Sequence, residues 1–411
     1  MEFETFQLNN GIQVVHRQND RPVAHCGLLV KAGSRDETPQ EEGLAHFIEH
    51  VLFKGTQRRK AYHILSRMED AGGELNAYTD KESTVIYSSF LAADYPRAID
   101  LLIDIAFDST FPEKELLKEK EVIIDEINSY KDSPSELIFD DFESLLFPGH
   151  PLGMNILGTP RKVKSFTRND VLRFVQREYG SNRMVFASVG NISSSRLQKH
   201  LEKELLNKQL GTSNDKRKAP LPGKPTHQVL KRSNFQTHAI IGCQAYPADH
   251  PKSRSLHLLN NILGGPGMNS RLNLNIREKY GFTYNIESFY SPYSDSGVFG
   301  IYAGTDPSTI EKTLRLIDRE MRQLREKPLG VMQLSKAKRQ ILGQIAMAQE
   351  NNASLMLALG RSLLSYNRID TFEEMLVKIQ SITAKDLQEV ANEIFDEKGL
   401  SQLVYKPIDE R

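Results

Sequence analysis

The chain has 411 residues, of which 39% are hydrophobic and 26% charged, the composition of an ordinary folded protein with room for two or three domains. Lysine plus arginine equals aspartate plus glutamate at 53 each, so no bulk charge favours nucleic acid or an anionic membrane. Apolar runs are too short for a membrane span, two cysteines are too few for a disulfide framework, and the N-terminus lacks a secretory signal pattern. We therefore expect a cytoplasmic protein that binds neither nucleic acid nor membrane.

The first half of the chain mixes strand and helix patterns. A turn at Asn9-Asn10-Gly11 predicts a hairpin over residues 3–18, and the apolar run over 23–31 predicts a strand covered on both faces. Residues 74–91 and 184–189 are also strand-like. Helices are predicted over residues 44–54, 61–70, 94–106, 113–130, 169–178 and 194–206.

A polar stretch rich in proline and glycine, residues 208–225, predicts a linker between two halves of nearly equal length. Patterns of the first half recur in the second in the same order. Ser165-Phe166-Thr167-x-x-Asp170 recurs as Ser381-Ile382-Thr383-x-x-Asp386, an offset of 216 (381 minus 165), and Lys118-x-Lys120-x-x-Ile123 as Lys336-x-Lys338-x-x-Ile341, an offset of 218 (336 minus 118). We therefore predict a duplication, with domains at 1–207 and 226–411.

Two histidines share one face of the predicted helix over 44–54. His46 and His50 are four residues apart, so their imidazoles can bind one metal ion. Glu49 lies beside both and can act as a general base toward a water on that metal. The order His-x-x-Glu-His is the inverzincin signature. The alternative is a solvated helix with incidental histidines, which the apolar residues of this helix disfavour.

A hydrolytic zinc site uses three protein ligands and leaves one position for water. The predicted helix over 113–130 offers Glu119, Glu121 and Glu126 as the third ligand. Glu119 and Glu126 share a face beside Ile123 and Ile127, and carboxylates on a buried face need a compensating cation. The alternative is an exposed acidic face paired with lysines. Helical periodicity does not decide which glutamate is the ligand.

The duplication also predicts which half holds a metal. The helix that carries His46 recurs as His257–Leu263, an offset of 211 (257 minus 46), so that His50 corresponds to Asn261, and Glu126 corresponds to Gln344. Neutral amides do not replace an imidazole and a carboxylate in a zinc site. One metal site per chain, in the first domain, is therefore expected.

These motifs resemble those of the pitrilysin-type zinc peptidases, in the branch of mitochondrial processing peptidase and its bacterial relatives. That family has a glutamate 76 residues beyond the second histidine, and 50 plus 76 is 126, a glutamate here. The resemblance implies that His46, His50 and Glu126 bind one Zn²⁺ per chain and that Glu49 is the base. It also implies that Glu119 orients a ligand or supports the zinc.

The resemblance further implies which residues contact the substrate. Residues 72–79 are similar to the family's edge strand, so Asn76 and Ala77 are expected to bind an extended peptide by strand addition. Arg277 and Tyr284 are similar to a pair that, in the family, reaches the substrate carbonyl and its oxyanion from the second domain. A guanidinium and a phenol both donate hydrogen bonds to developing negative charge.

The resemblance covers almost the whole chain. It implies an α+β fold of two related α/β domains that close like a clamshell around short or unfolded peptides. The expected activity is that of a zinc endopeptidase. The alternatives are a specific presequence-processing peptidase and a non-catalytic structural or assembly subunit, like the respiratory-complex core proteins. Because both motif sets lie on one chain, we expect a homodimer or a self-sufficient protein.

Overall fold

A computed structural model describes residues 3–206, 208, 211–214 and 217–408. The chain divides into two compact units, each an α/β arrangement of one mixed sheet with packed helices. Unit 1 comprises Met1–Asn128, Met154–Arg217 and Met347–Thr371. Unit 2 comprises Ser129–Gly153, Lys218–Ala346 and Phe372–Arg411. The predicted fold class is therefore confirmed.

Both units contain strands and helices. The strands are β1 (Glu4–Gln7), β2 (Gln13–Gln18), β3 (Val23–Val30), β4 (Glu74–Thr79), β5 (Thr84–Leu91), β6 (Met184–Gly190), β7 (His227–Arg232), β8 (Thr237–Gln244), β9 (Thr283–Pro292), β10 (Gly297–Thr305) and β11 (Ser401–Pro407). The helices are α1 (Leu44–Leu52), α2 (Ala61–Glu69), α3 (Tyr95–Asp108), α4 (Glu113–Lys131), α5 (Pro134–Leu146), α6 (Pro160–Ser165), α7 (Arg168–Glu178), α8 (Ser194–Leu205), α9 (Ser253–Gly264), α10 (Ile310–Glu326), α11 (Val331–Ala348), α12 (Asn352–Tyr366), α13 (Phe372–Ser381) and α14 (Ala384–Ile394). In the described part of the chain, no helix combines the length and apolar character needed to cross a membrane.

The sheet of unit 1 has the strand order β1-β2-β6-β3-β5-β4. Strands β2 and β6 are parallel, and the other neighbours are antiparallel. Alternate residues of β3 face opposite sides, so that Leu28 joins a core with α1, α3 and α8 while Leu29 packs against α12. The prediction of a strand covered on both faces is confirmed.

The predicted strand over 74–91 is two strands. A turn separates β4 from β5, and the Asp80 carboxylate accepts hydrogen bonds from the backbone N–H groups of Glu82 at 2.8 Å and Ser83 at 2.6 Å. Such an aspartate stabilises a turn without the glycine or proline that usually reveals one in a sequence. Strand β4 is the last in the sheet, and no strand of the described residues pairs with its outer edge.

Unit 2 repeats the topology of unit 1 without a counterpart of β1. Its sheet has the order β7-β11-β8-β10-β9, again with one parallel pair, β7 and β11. The capping box of Thr167 and Asp170 at the start of α7 recurs as that of Thr383 and Asp386 at the start of α14. The prediction that the two halves are related is confirmed.

Two helices pack in the unit opposite to their place in the sequence. Helix α5, from the first half of the chain, covers one face of the unit 2 sheet beside Ile240 and Tyr302. Helix α12, from the second half, buries Leu355, Met356 and Leu359 on the unit 1 sheet, and each such side chain stabilises the packing by about 2 kcal/mol. The predicted domain bounds, 1–207 and 226–411, instead place α5 in the first domain and α12 in the second.

Some described residues of the predicted linker over 208–225 contact unit 1. Its residues 209, 210, 215 and 216 lie outside the described residues, as does residue 207 at the end of the predicted first domain. Asn182 accepts a hydrogen bond from the Ser213 N–H at 2.9 Å, and Arg217 forms an ion pair with Asp36 at 2.8 Å. Ser213 and Arg217 are therefore attached to unit 1.

Buried Asp104 holds the loop that follows α1. Its carboxylate accepts hydrogen bonds from Thr56 Oγ1 at 2.8 Å, from Arg58 Nε at 2.9 Å and from Arg59. Burial alone would raise the pKa of the Asp104 carboxyl, but these hydrogen bonds outweigh burial and hold the pKa below its ordinary value. The folded protein therefore releases this proton more readily than the unfolded chain.

An Asp104→Asn substitution should lower the free energy of unfolding by on the order of 3 kcal/mol near neutral pH, because it removes the buried charge with which Arg58 and Arg59 pair. Since the pKa of Asp104 is lowered on folding, its stabilisation is present above the ordinary pKa of aspartate and is lost as the pH falls through the folded value. Denaturant unfolding at neutral pH and at about pH 3.5 should show the difference shrinking. The exposed Asp20→Asn is the control, and a pH-independent difference would contradict the role given to the charge.

Candidate metal centre

Helix α1 starts at a position that only glycine can occupy. Gly43 has φ +92°, and a Cβ atom there would lie 2.8 Å from the Cα of Gly158. The buried Glu37 carboxylate accepts hydrogen bonds from the N–H groups of Gly43 at 2.9 Å and Ala45 at 2.7 Å. These contacts satisfy two of the free amides in the first turn and fix where the helix begins.

The structure brings the predicted ligands together. The rings of His46 and His50 have centroids 4.7 Å apart on one face of α1. Glu126 of α4 lies opposite, with its carboxylate oxygens 3.8 Å from His46 Nε2 and 3.5 Å from His50 Nε2. One ligand atom from each of the three residues lies within 4.8 Å of the others. Of the three candidate glutamates, Glu126 is the one at the Nε2 atoms of both histidines.

This group fits a zinc ion. Ligand bonds of about 2.0–2.2 Å in a tetrahedron place the ligand atoms roughly 3.4 Å apart, close to the separations between Glu126 and the two histidines. Burial and the neighbouring His50 together lower the pKa of His46 to about 4, so that His46 is neutral at neutral pH, as a metal ligand must be. The Glu126 side chain is 43% exposed, which leaves the group accessible from solvent.

Glu119 contacts His50 at its other nitrogen. The Glu119 carboxylate lies 3.3 Å from His50 Nδ1 through Oε2 and 2.7 Å from Lys54 Nζ through Oε1. Glu119, for which the resemblance implied a supporting role, therefore lies in contact with a predicted ligand. Sequence reasoning missed Lys54, although its spacing of four residues from His50 is a signal that could have identified it.

Glu49 lies half-buried beside the three predicted ligands. Burial raises the pKa of its carboxyl, and the Glu126 carboxylate adds to the rise, whereas Thr79 and His50 oppose it. A carboxylate with a raised pKa is a stronger base. Sequence reasoning missed Thr79, which is the last residue of β4 and was not distinguished from its neighbours by any spacing rule.

The two predicted substrate residues of β4 point to opposite faces of the sheet. Ala77 packs against the core that includes α1, on the same side as Leu75. Asn76 is exposed and shares the other face with Tyr78, which packs with α12. The outer edge of β4 pairs with no strand of the described residues, so its backbone groups are available to an added strand.

Arg277 and Tyr284 both lie in unit 2. Arg277 is exposed in a π-helical turn, Asn273–Glu278, a conformation that occurs frequently at functional sites. Tyr284 is the second residue of β9 and is 80% exposed. Both polar groups are therefore accessible to a bound molecule.

The counterpart of the metal site in unit 2 is a neutral pair. Asn261 Nδ2 donates a hydrogen bond of 2.7 Å to Gln344 Oε1, at the positions that correspond to His50 and Glu126. Within the described ranges, His46, His50 and Glu126 form the one group of histidine, cysteine and acidic side chains arranged to hold a metal. The duplicated architecture thus carries a metal-type site in one copy and an amide contact in the other.

Two family models match successive parts of the chain. Residues 13–160 match the family model described as Insulinase (Peptidase family M16), and residues 165–341 match the model described as Peptidase M16 inactive domain. The chain is 32% identical over 405 residues to an "Uncharacterized zinc protease" of Rickettsia bellii, covering 98% of this chain and 97% of that protein. It is also 32% identical over 398 residues to "Uncharacterized zinc protease YmxG" of Bacillus subtilis, covering 95% of each.

A solved structure described as a peptidase M16 inactive domain from Pseudomonas fluorescens has the same fold, with a TM-score of 0.93 at 21% identity over 100% of this chain and 99% of that one. Two family models span most of the sequence, and relatives named zinc proteases match it over nearly their full length. The chain therefore belongs to the insulinase family of peptidases, peptidase family M16, as its resemblance to the bacterial pitrilysin-type enzymes predicted.

Proposed function

We propose that this chain is a zinc-dependent endopeptidase that cleaves short or unfolded peptides. The observation that carries the proposal is the convergence of His46, His50 and Glu126 within 4.8 Å, with Glu49 beside them. A zinc ion held by these three side chains would supply a Lewis acid for the peptide carbonyl and lower the pKa of a water molecule. One zinc per chain is proposed, since the counterpart in unit 2 is an amide pair.

Glu49 is the proposed proton carrier. It is not needed as a ligand, because three other side chains supply the donor set, and its half-buried carboxylate is a stronger base than an exposed one. It would take a proton from water during attack on the peptide carbonyl and then deliver that proton to the leaving amine. The same carboxyl group thus serves as base and as acid.

The free edge of β4 is the proposed binding site for the peptide backbone. An extended chain that adds to this edge forms main-chain hydrogen bonds independent of its sequence. Only a segment released from its own sheet or helix can offer those groups, so the proposed substrates are short or unfolded. This edge ends at Thr79, beside Glu49, which places an added strand next to the proposed base.

A non-catalytic structural subunit is the less favoured alternative. A chain released from catalysis has no need of the base or of the ligand set, yet His46, His50 and Glu126 are grouped and Glu49 interacts with two of them. Because both motif sets lie on one chain, the proposed enzyme works as a single kind of subunit, alone or as a homodimer. Cleavage of an unstructured quenched peptide by the zinc-loaded chain tests the proposal, and zinc binding without any cleavage would refute it.

Replacing Tyr284 with phenylalanine should lower kcat by on the order of 10²-fold, because the family resemblance gives its hydroxyl a hydrogen bond to developing negative charge. Zinc content and KM should change little. Turnover of a quenched peptide, with zinc measured on the same sample, checks this outcome. Tyr280→Phe, a partly exposed tyrosine on the same segment, is the matched control. Unchanged kcat in Tyr284→Phe would remove this hydroxyl from the chemistry.

A further inference from the structure

The Glu119 carboxylate is shared between two side chains of one short segment. One oxygen lies 2.7 Å from Lys54 Nζ, and the other lies 3.3 Å from His50 Nδ1. The Glu119 side chain is 9% exposed and that of Lys54 is 24% exposed. Because solvent screens this ion pair only partly, Lys54 constrains the carboxylate more firmly than an exposed lysine would.

His50 contacts a carboxylate at each ring nitrogen. Glu119 is at Nδ1, and Glu126 is 3.5 Å from Nε2. A neutral imidazole carries its proton on one nitrogen only, and the nitrogen that binds a metal must be the one without it. The carboxylate that is held more rigidly as an acceptor selects which nitrogen keeps the proton.

We infer that Lys54 is a positioning residue of the metal centre. It fixes the Glu119 carboxylate so that His50 donates Nδ1–H to Glu119 and turns the Nε2 lone pair toward Glu126, where a metal would lie. Lys54 touches neither the metal nor the substrate and acts only through Glu119. The inference rests on the proposed function, because that proposal supplies the metal. The orientation of the His50 ring does not require a bound metal.

The test compares zinc affinity, measured by competition with a chelating dye, across a set of variants. Lys54→Met should weaken zinc binding by about 10–100-fold, the effect of losing an outer partner of a metal ligand. Lys54→Arg should retain most of the wild-type zinc affinity. Glu119→Gln should weaken zinc binding as much as Lys54→Met does. The double variant should bind zinc no more weakly than Glu119→Gln alone, because the lysine acts through the glutamate.

Lys118→Met is the matched control, since Lys118 lies beside Glu119 in the sequence but pairs with Glu115 at 2.8 Å. Unchanged affinity in Lys54→Met, or additive losses in the double variant, would overturn the inference.

The ¹⁵N shifts of the deprotonated His50 ring in the metal-free protein give a second readout. The Nδ1–H tautomer should dominate in the wild type and lose its dominance in Lys54→Met, and an unchanged tautomer would also overturn the inference. Failure of the wild type to bind zinc would refute the proposed function, whereas the tautomer measurement would still decide the role of Lys54.

Discussion

Replacement of Glu49 by glutamine should reduce kcat for peptide cleavage by roughly 10²–10⁴-fold, the usual contribution of a general base. Glutamine has the same shape but cannot accept a proton at neutral pH. The three ligand side chains are unchanged, so the bound zinc should remain at one equivalent. Turnover of a quenched peptide and metal analysis of the same sample measure both quantities.

A second glutamate gives the control for this substitution. Glu121→Gln removes an exposed carboxylate from α4, the helix that carries Glu126, and should leave both turnover and zinc content unchanged. If Glu49→Gln cleaves the peptide at the wild-type rate, Glu49 is not the base. If it loses its zinc, Glu49 is part of the ligand set, contrary to the assignment of Glu126.

Replacement of His50 by alanine should weaken zinc binding by more than about 100-fold, since the loss of an outer partner alone costs 10–100-fold and here a ligand is removed. The substitution also removes the imidazole that contacts Glu119. Peptide cleavage should fall with the bound metal. Zinc titration monitored by a competing dye, with turnover measured at each point, gives the two effects together.

His63→Ala provides the matched control, because His63 is an exposed histidine on the next helix, α2. It should bind one zinc with wild-type affinity. Stoichiometric zinc in His50→Ala would show that the metal lies elsewhere. A second zinc in the wild type would contradict the interpretation of Asn261 and Gln344 as a metal-free counterpart.

Local patterns predicted most of the strands and helices before residue 207, but not α5 and α6. The glycine turn between β1 and β2 and the apolar run of β3 depend on neighbours in the sequence, so their physics is visible there. The turn at Asp80 was missed because a side-chain carboxylate, rather than a glycine or proline, stabilises it. Helix α12 shows a different limit. Its pattern of Leu355, Met356 and Leu359 says that one face is buried, but not which sheet covers that face.

The candidate site was also predictable only in part from local spacing. The shared face of His46 and His50 follows from helical geometry, so the spacing of four residues is enough to predict that the two rings lie together. Glu126 lies on another helix, where periodicity left Glu119 and Glu121 equally eligible. The resemblance resolved that choice, and the structure places Glu126 at the Nε2 atoms.

Contacts that join distant residues were not predictable from spacing. Glu37 holds the first turn of α1 from across a loop, and Thr79 reaches Glu49 only because β4 lies next to α1. In the other unit, the sequence comparison identified Asn261 and Gln344 as counterparts of ligands. That the two amides hydrogen bond to each other is visible only in the fold.

The most direct measurement is a zinc titration of the metal-free chain, followed by both metal binding and cleavage of an unstructured quenched peptide. We predict no cleavage without metal and full cleavage at one equivalent of zinc per chain, because one group of three ligands serves one active site. Cleavage that survives removal of the metal, or no cleavage when zinc is bound at His46, His50 and Glu126, would contradict a zinc peptidase at this site.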